Sequence, residues 1–201
     1  MRTVAQVYEQ YEVMPQLATH MLRVAGVGKL VTDDWGDREL ADKCVKACLL
    51  HDLGNLAKFK LASEYQREWG PRQKRLWVKW GRDAHEATYG MLKELGLPEY
   101  VEYLLAEARL YESEPTENDF MIVPKPALIV LYADLRVVPT GVVTLQERVE
   151  DLTKRYSGFR AESRWGQSLE DYVQTLTTVN VQAITESAVT PLFDELLTVT
   201  V

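Results

Sequence analysis

Apolar residues recur along most of this chain at spacings of three and four, the period of an α-helix rather than of a strand. After Pro15, the positions Leu17, Met21, Val24, Val27 and Leu30-Val31 form one stripe, which predicts a helix of about four turns. The polar run Thr32-Asp33-Asp34-Trp35-Gly36-Asp37 ends it. Asp37 offers a side-chain cap to a second helix, whose stripe is Leu40, Cys44, Val45, Cys48 and Leu49 and which stops at Gly54. A third helix is expected from Pro71 through Leu76, Val78, His85, Met91 and Leu95 to Gly96, with Gly81 and Gly90 as weak points and Pro98 beyond it as a stop.

Leu97 to Leu110 reads as a further helix, and Glu112 to Asp119 as an exposed acidic loop. The run Ala127 to Asp134 fits a buried strand or a buried helix by periodicity alone; Pro124 and Pro126 suit a helix start and the surroundings are helical, so a helix is expected. Thr144 to Tyr156 forms a charged amphipathic helix, and Ser168 to Leu197 a long helical segment with a break expected near Pro191. No internal repeat or low-complexity tract is present. The expected organisation is all-α, with a helical domain over residues 1–160 and a C-terminal helical extension over 161–201 packed on the same domain.

With 201 residues and 46% hydrophobic content, the chain can bury a core of its own. A formal charge of −7 argues against a general nucleic-acid coat, so nucleic acid is a disfavoured partner, while a local basic patch can still hold a phosphorylated small molecule. There is no basic-then-apolar N-terminal pattern and no apolar run of about 18 residues, so the expectation is a cytoplasmic protein with no membrane partner. Cys44 and Cys48 lie one helical turn apart, about 6 Å, which disfavours a mutual disulfide and fits a reducing compartment. With His51 they share a face and can hold a structural zinc, or they serve as small buried apolar residues; the lack of a matching fourth ligand favours packing.

The chemistry concentrates in three histidines, His20, His51 and His85, each in a predicted helix. Any one of them alone reads as a hydrogen-bonded core residue. Two carboxylates change that balance: Asp52 beside His51, and Asp134 at the end of the apolar run 127–133. A carboxylate on so apolar a segment is costly unless it is paired or binds a cation.

The order His20, then His51-Asp52, then Asp134 resembles the HD-domain superfamily of metal-dependent phosphohydrolases. "HMLRVAGVGKLV" is similar to that family's first-histidine helix, "LLHDLGN" to its His-Asp signature and "LYADLRV" to its terminal-aspartate helix, over roughly residues 15–155. The resemblance implies an HD-type helical bundle in which His20, His51, Asp52 and Asp134 ligate a divalent metal. Two imidazoles and two carboxylates suit one ion of Mn, Fe, Co, Ni or Zn, with Mg less natural. A metal so held lowers the pKa of water and polarises a phosphoryl group.

His85, in "DAHEATYGMLKELGL", resembles the third-histidine helix of members that hold a second metal or bind substrate phosphate. The next helix, "YLLAEARLY", has no histidine, which favours one metal with His85 as a phosphate contact or general acid, while Glu107 is an alternative ligand for a second ion. Asn55 stands where relatives often carry a lysine or glutamate; because asparagine neither titrates nor carries charge, Lys58, Glu86 and Asp83 are the candidates for such a role, Asp83 reading more readily as a surface charge. Catalytic candidates are therefore His85, Lys58 and Glu86, and substrate contacts Arg23, Asn55, Arg82 and Arg136. The segment "RQKRLWVKWGRD" interleaves cations with Trp77 and Trp80, a pattern that can grip a nucleotide or simply form a solvated face.

The expected activity is phosphohydrolysis of a nucleotide or related small phosphate ester. The alternatives are an HD-fold sensor or interaction module without turnover, favoured by Asn55, and a hydratase, lyase or oxygenase on the same metal. The acidic loop near Pro115 and the last helical segment are candidate contact surfaces for a homo-oligomer.

Overall fold

The computed structural model describes residues 1–113, 115–155 and 164–201. Among these residues the fold is all-α apart from one small hairpin. Helix α1 (Val4–Gln10) begins at a Thr3/Gln6 capping box. Helix α2 (Pro15–Thr32) has proline in its first position and buries Leu17, Met21, Val24 and Val31. Helix α3 (Arg38–Leu50) is capped by Asp37, whose carboxylate accepts from Leu40 N at 3.0 Å, as the sequence led us to expect. A 3₁₀ turn over Asn55–Lys58 follows.

The expected helix over 71–96 is two helices, α4 (Ser63–Trp80) and α5 (Ala84–Glu94). Pro71 lies inside α4 on its exposed side rather than starting it. The separation is local in origin: Gly81 takes a left-handed conformation at φ +88°, and Asp83 caps α5 by accepting from Glu86 N at 2.9 Å. Helix α6 (Pro98–Glu112) runs slightly beyond its predicted end. Part of the expected acidic loop is helix α7 (Glu117–Ile122), started by a Thr116/Asp119 capping box; Glu114 of that loop lies outside the described residues.

Helix α8 (Lys125–Asp134) is the centre of the fold. Every residue from Pro126 to Ala133 is buried, the condition in which an all-apolar helix is stable and in which periodicity cannot distinguish helix from strand. It packs against α2, α3 and α6. A two-stranded antiparallel hairpin, β1 (Val137–Val138) and β2 (Gly141–Val142), leads to α9 (Leu145–Arg155). The expected end of that helix at Tyr156, and the expected boundary at 160/161, lie outside the described residues.

The C-terminal part departs most from expectation. The expected break near Pro191 falls at a 3₁₀ turn, Thr190–Leu192, but the segment before it is not one helix: α10 (Arg164–Gln174) is followed by a 3₁₀ turn Val181–Ala183 and α11 (Glu186–Val189), and α12 (Phe193–Thr198) lies beyond. Tertiary hydrogen bonds outcompete helix propagation here. Asp34 accepts from the hydroxyls of Thr177 and Thr178 and from Thr178 N, and the Asn180 side chain accepts from Gln182 N. The segment lies along α2, and Thr200 bridges to Thr3.

Arg136 fastens this segment to α8. Its fully buried guanidinium donates to Val143 O at 2.6 Å, Val181 O at 2.6 Å, Ile184 O at 3.0 Å and the Tyr132 hydroxyl at 2.5 Å, with the Glu170 carboxylate 3.8 Å away. Removing one member of such a pair strands the other charge in the core. Arg136→Met is therefore expected to lower stability by about 3–5 kcal/mol, read from the urea midpoint.

Candidate metal centre

The convergence of α2, α3 and α8 assembles the polar residues singled out by the sequence. His20 lies on α2, His51 is the C-cap of α3, Asp52 is the first residue of the turn beyond, and Asp134 is the last residue of α8. His20 Nε2 is 3.1 Å from Asp134 Oδ1 and 3.6 Å from Asp52 Oδ2. His51 Nε2 is 3.8 Å and 3.7 Å from the same two oxygens. His20, His51 and Asp52 each offer a ligand atom within 4.8 Å of the others, a group that could hold a metal ion, and Asp134 Oδ1 adjoins it 3.1 Å from His20.

The imidazole of His51 supplies a sharper test. Its Nδ1 lies 2.8 Å from Cys48 O, and because a carbonyl only accepts, Nδ1 must carry the proton. Nε2 is then the free nitrogen. It is buried and has no hydrogen-bond partner among the described residues. A buried ring nitrogen aimed at two carboxylates and a second imidazole is the arrangement a divalent cation completes. Without the cation, burial disfavours the charged ring but Asp52 and Asp134 outweigh it, and the His51 pKa rises to about 9. Burial also opposes the charge on Asp134, yet the His20 ring at 3.1 Å and the charge of the nearby His51 ring hold its carboxyl well below the usual range.

Several elements hold the pair in place. The Tyr8 hydroxyl of α1 donates to Leu49 O at 2.7 Å in the last turn of α3. Gly54 N donates to Thr88 Oγ1 at 3.0 Å, and a Cβ at position 54 would stand 2.5 Å from Thr88 N and 2.6 Å from Ala84 O, both backbone atoms. The glycine of "LLHDLGN" is thus required by the close approach of α5, not by a special backbone angle. The Trp77 indole and Gln73 amide of α4 donate to Ala57 O, Leu56 O and Phe59 O, fixing the turn that carries Lys58.

A cleft of about 730 Å³ opens from this cluster. His51, Asp52 and Asp134 form its floor, His85, Glu86 and Lys58 stand on its walls, and Glu107 of α6 faces it. Burial, with Asp134 next in weight, pushes the Glu107 carboxyl up to about 8. Asp83, expected to be a surface charge, both caps α5 and lines the cleft.

Four expected substrate contacts go elsewhere. Arg23 pairs with Glu186 at 2.8 Å and donates to Pro139 O. Arg136 is the buried clasp described above. Arg82 lies over the Trp77 ring at 4.5 Å and is not part of the cleft lining. Asn55 is buried and donates to the Asp52 carboxylate, so it orients a ligand residue instead of offering itself to substrate. Other cations of the basic and aromatic run are also committed within the chain: Arg72 and Arg75 pair with Glu12, and Lys79 pairs with Glu94 and lies over Trp80. Cys44 and Cys48 are buried free thiols, and burial pushes Cys44 up to about 12, which fits packing and not zinc.

A family model, that of the HD domain, matches residues 17–137, more than half of the chain, and all four donors lie within the matched span. The chain belongs to the HD-domain family. HD domains typically bind a divalent metal, and the family falls in a superfamily of metal-dependent hydrolases that also has non-hydrolytic members. No curated protein and no solved structure matches the chain. No helix among the described residues is long and apolar enough to cross a membrane.

Arg148 and Leu152 of α9 also line the HD-domain cleft, and sequence reasoning passed over them because one charged and one apolar residue on an amphipathic helix carry no distinguishing signal.

The raised pKa values give the metal-free protein a defined pH response. Between about 6.5 and 9 for His51, and between 4.5 and about 8 for Glu107, the folded chain binds more protons than the unfolded one. Its stability must therefore fall as pH rises through both windows. In chelator, the melting temperature is expected to drop from pH 6 to pH 9, and a saturating divalent metal is expected to flatten that slope. Thermal melts across this pH series with and without metal check both.

Proposed function

We infer that this protein is a metal-dependent phosphohydrolase acting on a nucleotide or a related small phosphate ester. The observation that carries the reading is the free, buried Nε2 of His51, set among His20, Asp52 and Asp134 at the floor of a cleft. These four residues would hold one divalent transition metal, which when bound would supply a lowered water pKa and polarisation of a phosphoryl oxygen.

The chain's own groups do the rest. Asn55 fixes the Asp52 carboxylate and the Cys48 carbonyl fixes the His51 ring, so two ligands are oriented before substrate arrives. Lys58 and His85, both in the cleft lining, offer positive charge and a proton donor toward the phosphoryl oxygens and the leaving group. Leu104, Leu135 and Leu152 form an apolar side of the cleft that excludes water and accepts the organic part of an ester. In the metal-free chain, burial and the neighbouring Asp134 push the Glu107 carboxyl up to about 8. Since the Asn55 amide is engaged with Asp52, its lack of charge no longer argues for a module without turnover.

Elemental analysis of chelator-free protein, paired with a screen of phosphate mono- and diesters and nucleoside triphosphates under Mn, Fe, Co, Ni and Zn, tests the reading. One metal per chain and release of phosphate or of a cleaved ester are expected. His51→Ala is expected to lose the metal and lower turnover by about 10²-fold or more, the scale of removing one electrostatic stabiliser. Nucleotide binding without turnover under every metal would identify a binding module instead.

A further inference from the structure

Arg148 lies on α9, beyond the residues matched by the HD domain, and forms part of the wall of the same cleft as His51, Asp52 and Asp134. Its side chain is 14% exposed, so the guanidinium is largely withdrawn from water. Asp151 takes Nη1 at 3.2 Å, one helical turn away. Nε, by contrast, is buried with no acceptor among the described residues. A buried N–H without a partner is costly, and folded chains seldom keep one that a ligand or water does not satisfy.

The other cations near the site differ in a way that matters. Arg23 and Arg136 are consumed by Glu186 and by the C-terminal carbonyls. Lys58 and Arg109 line the cleft but are exposed, and must give up side-chain freedom to hold a ligand. Arg148 is already held by Asp151, and the Nε edge of its planar fork is left without an acceptor among the described residues. That edge matches the paired oxygens of a phosphate.

We propose that Arg148 is the residue that binds an anionic phosphate group of the substrate, using the unpartnered Nε–H of a guanidinium that Asp151 holds in place in the lining of the metal cleft. The proposal rests on the phosphate-ester reading for the identity of the anion. It also assigns α9, outside the matched domain, a part in substrate specificity: ligands that carry an anion are selected over neutral ones because only they satisfy the buried N–H.

The probe is inorganic phosphate, titrated calorimetrically into the full, metal-loaded chain. Wild type is expected to bind it, and Arg148→Gln to bind on the order of 10- to 100-fold more weakly, with metal content and melting temperature unchanged. Arg148→Lys keeps the charge and the packing stem but not the fork, and is expected to fall between the two; it also serves should the glutamine variant fail to fold. Equal phosphate affinity in wild type and both variants overturns the proposal, and so does absence of phosphate binding by wild type at millimolar concentration. The ester screen separates this from the reading beneath it. Turnover by wild type with phosphate affinity unmoved by the variants sinks the role of Arg148 and leaves the hydrolase. Weakened phosphate affinity in a protein that turns over no ester leaves the anion site and sinks the hydrolase.

Discussion

Two carboxylates face two imidazoles where three helices meet, and among the described residues one of the ring nitrogens, that of His51, finds no hydrogen-bond partner. Asp52 and Asp134 lie 3.7 and 3.8 Å from that nitrogen, too far to hydrogen-bond it. Protons relieve the imbalance in the metal-free state, which is why the His51 ring is held charged well above its ordinary range. A divalent cation relieves it better, since it brings two charges and accepts several donors at once. The burial of α8, the tight turn after α3 and the packing of α5 all serve to keep this set of donors closely spaced.

The surroundings of the cluster show how that spacing is enforced. Gly54 lets α5 approach within backbone contact of the His-Asp turn, which in turn sets His85 and Glu86 beside the cleft. The tryptophans that looked like a nucleotide platform are structural: Trp77 bonds the turn carrying Lys58, and Trp69 and Trp80 support Arg72 and Lys79. Carbonyl and amide contacts at fixed distances position the site more firmly than apolar packing alone would.

What was legible in the sequence follows the range of the forces involved. Local signals read correctly: the Asp37 cap, the proline at the start of α2, and the helical identity of 125–134 from its two prolines. The nearness of His20, His51, Asp52 and Asp134 could be anticipated because residue type and order carry it. The break at Gly81 was hidden by an apolar stripe that continues across it, and the C-terminal turns by hydrogen bonds to Asp34 and Arg136, more than forty residues away. Arginine roles were the least legible. Arg23 is distinguished from Arg148 only by Glu186, a partner 163 positions along the chain, and no local pattern reports such a pairing.

Asp134 and Arg136, two residues apart, do opposite work at the end of α8. The first turns toward the imidazoles of α2 and α3, the second toward the carbonyls of Val181 and Ile184. One helix end thus ties the metal centre and the C-terminal segment into a single cooperative unit, so opening the segment cannot leave the ligand geometry untouched. The last stretch of the chain, remote from the cleft and outside the matched domain, acts as a tether on the aspartate that a metal would bind, and the strength of that tether sets how rigid the centre can be.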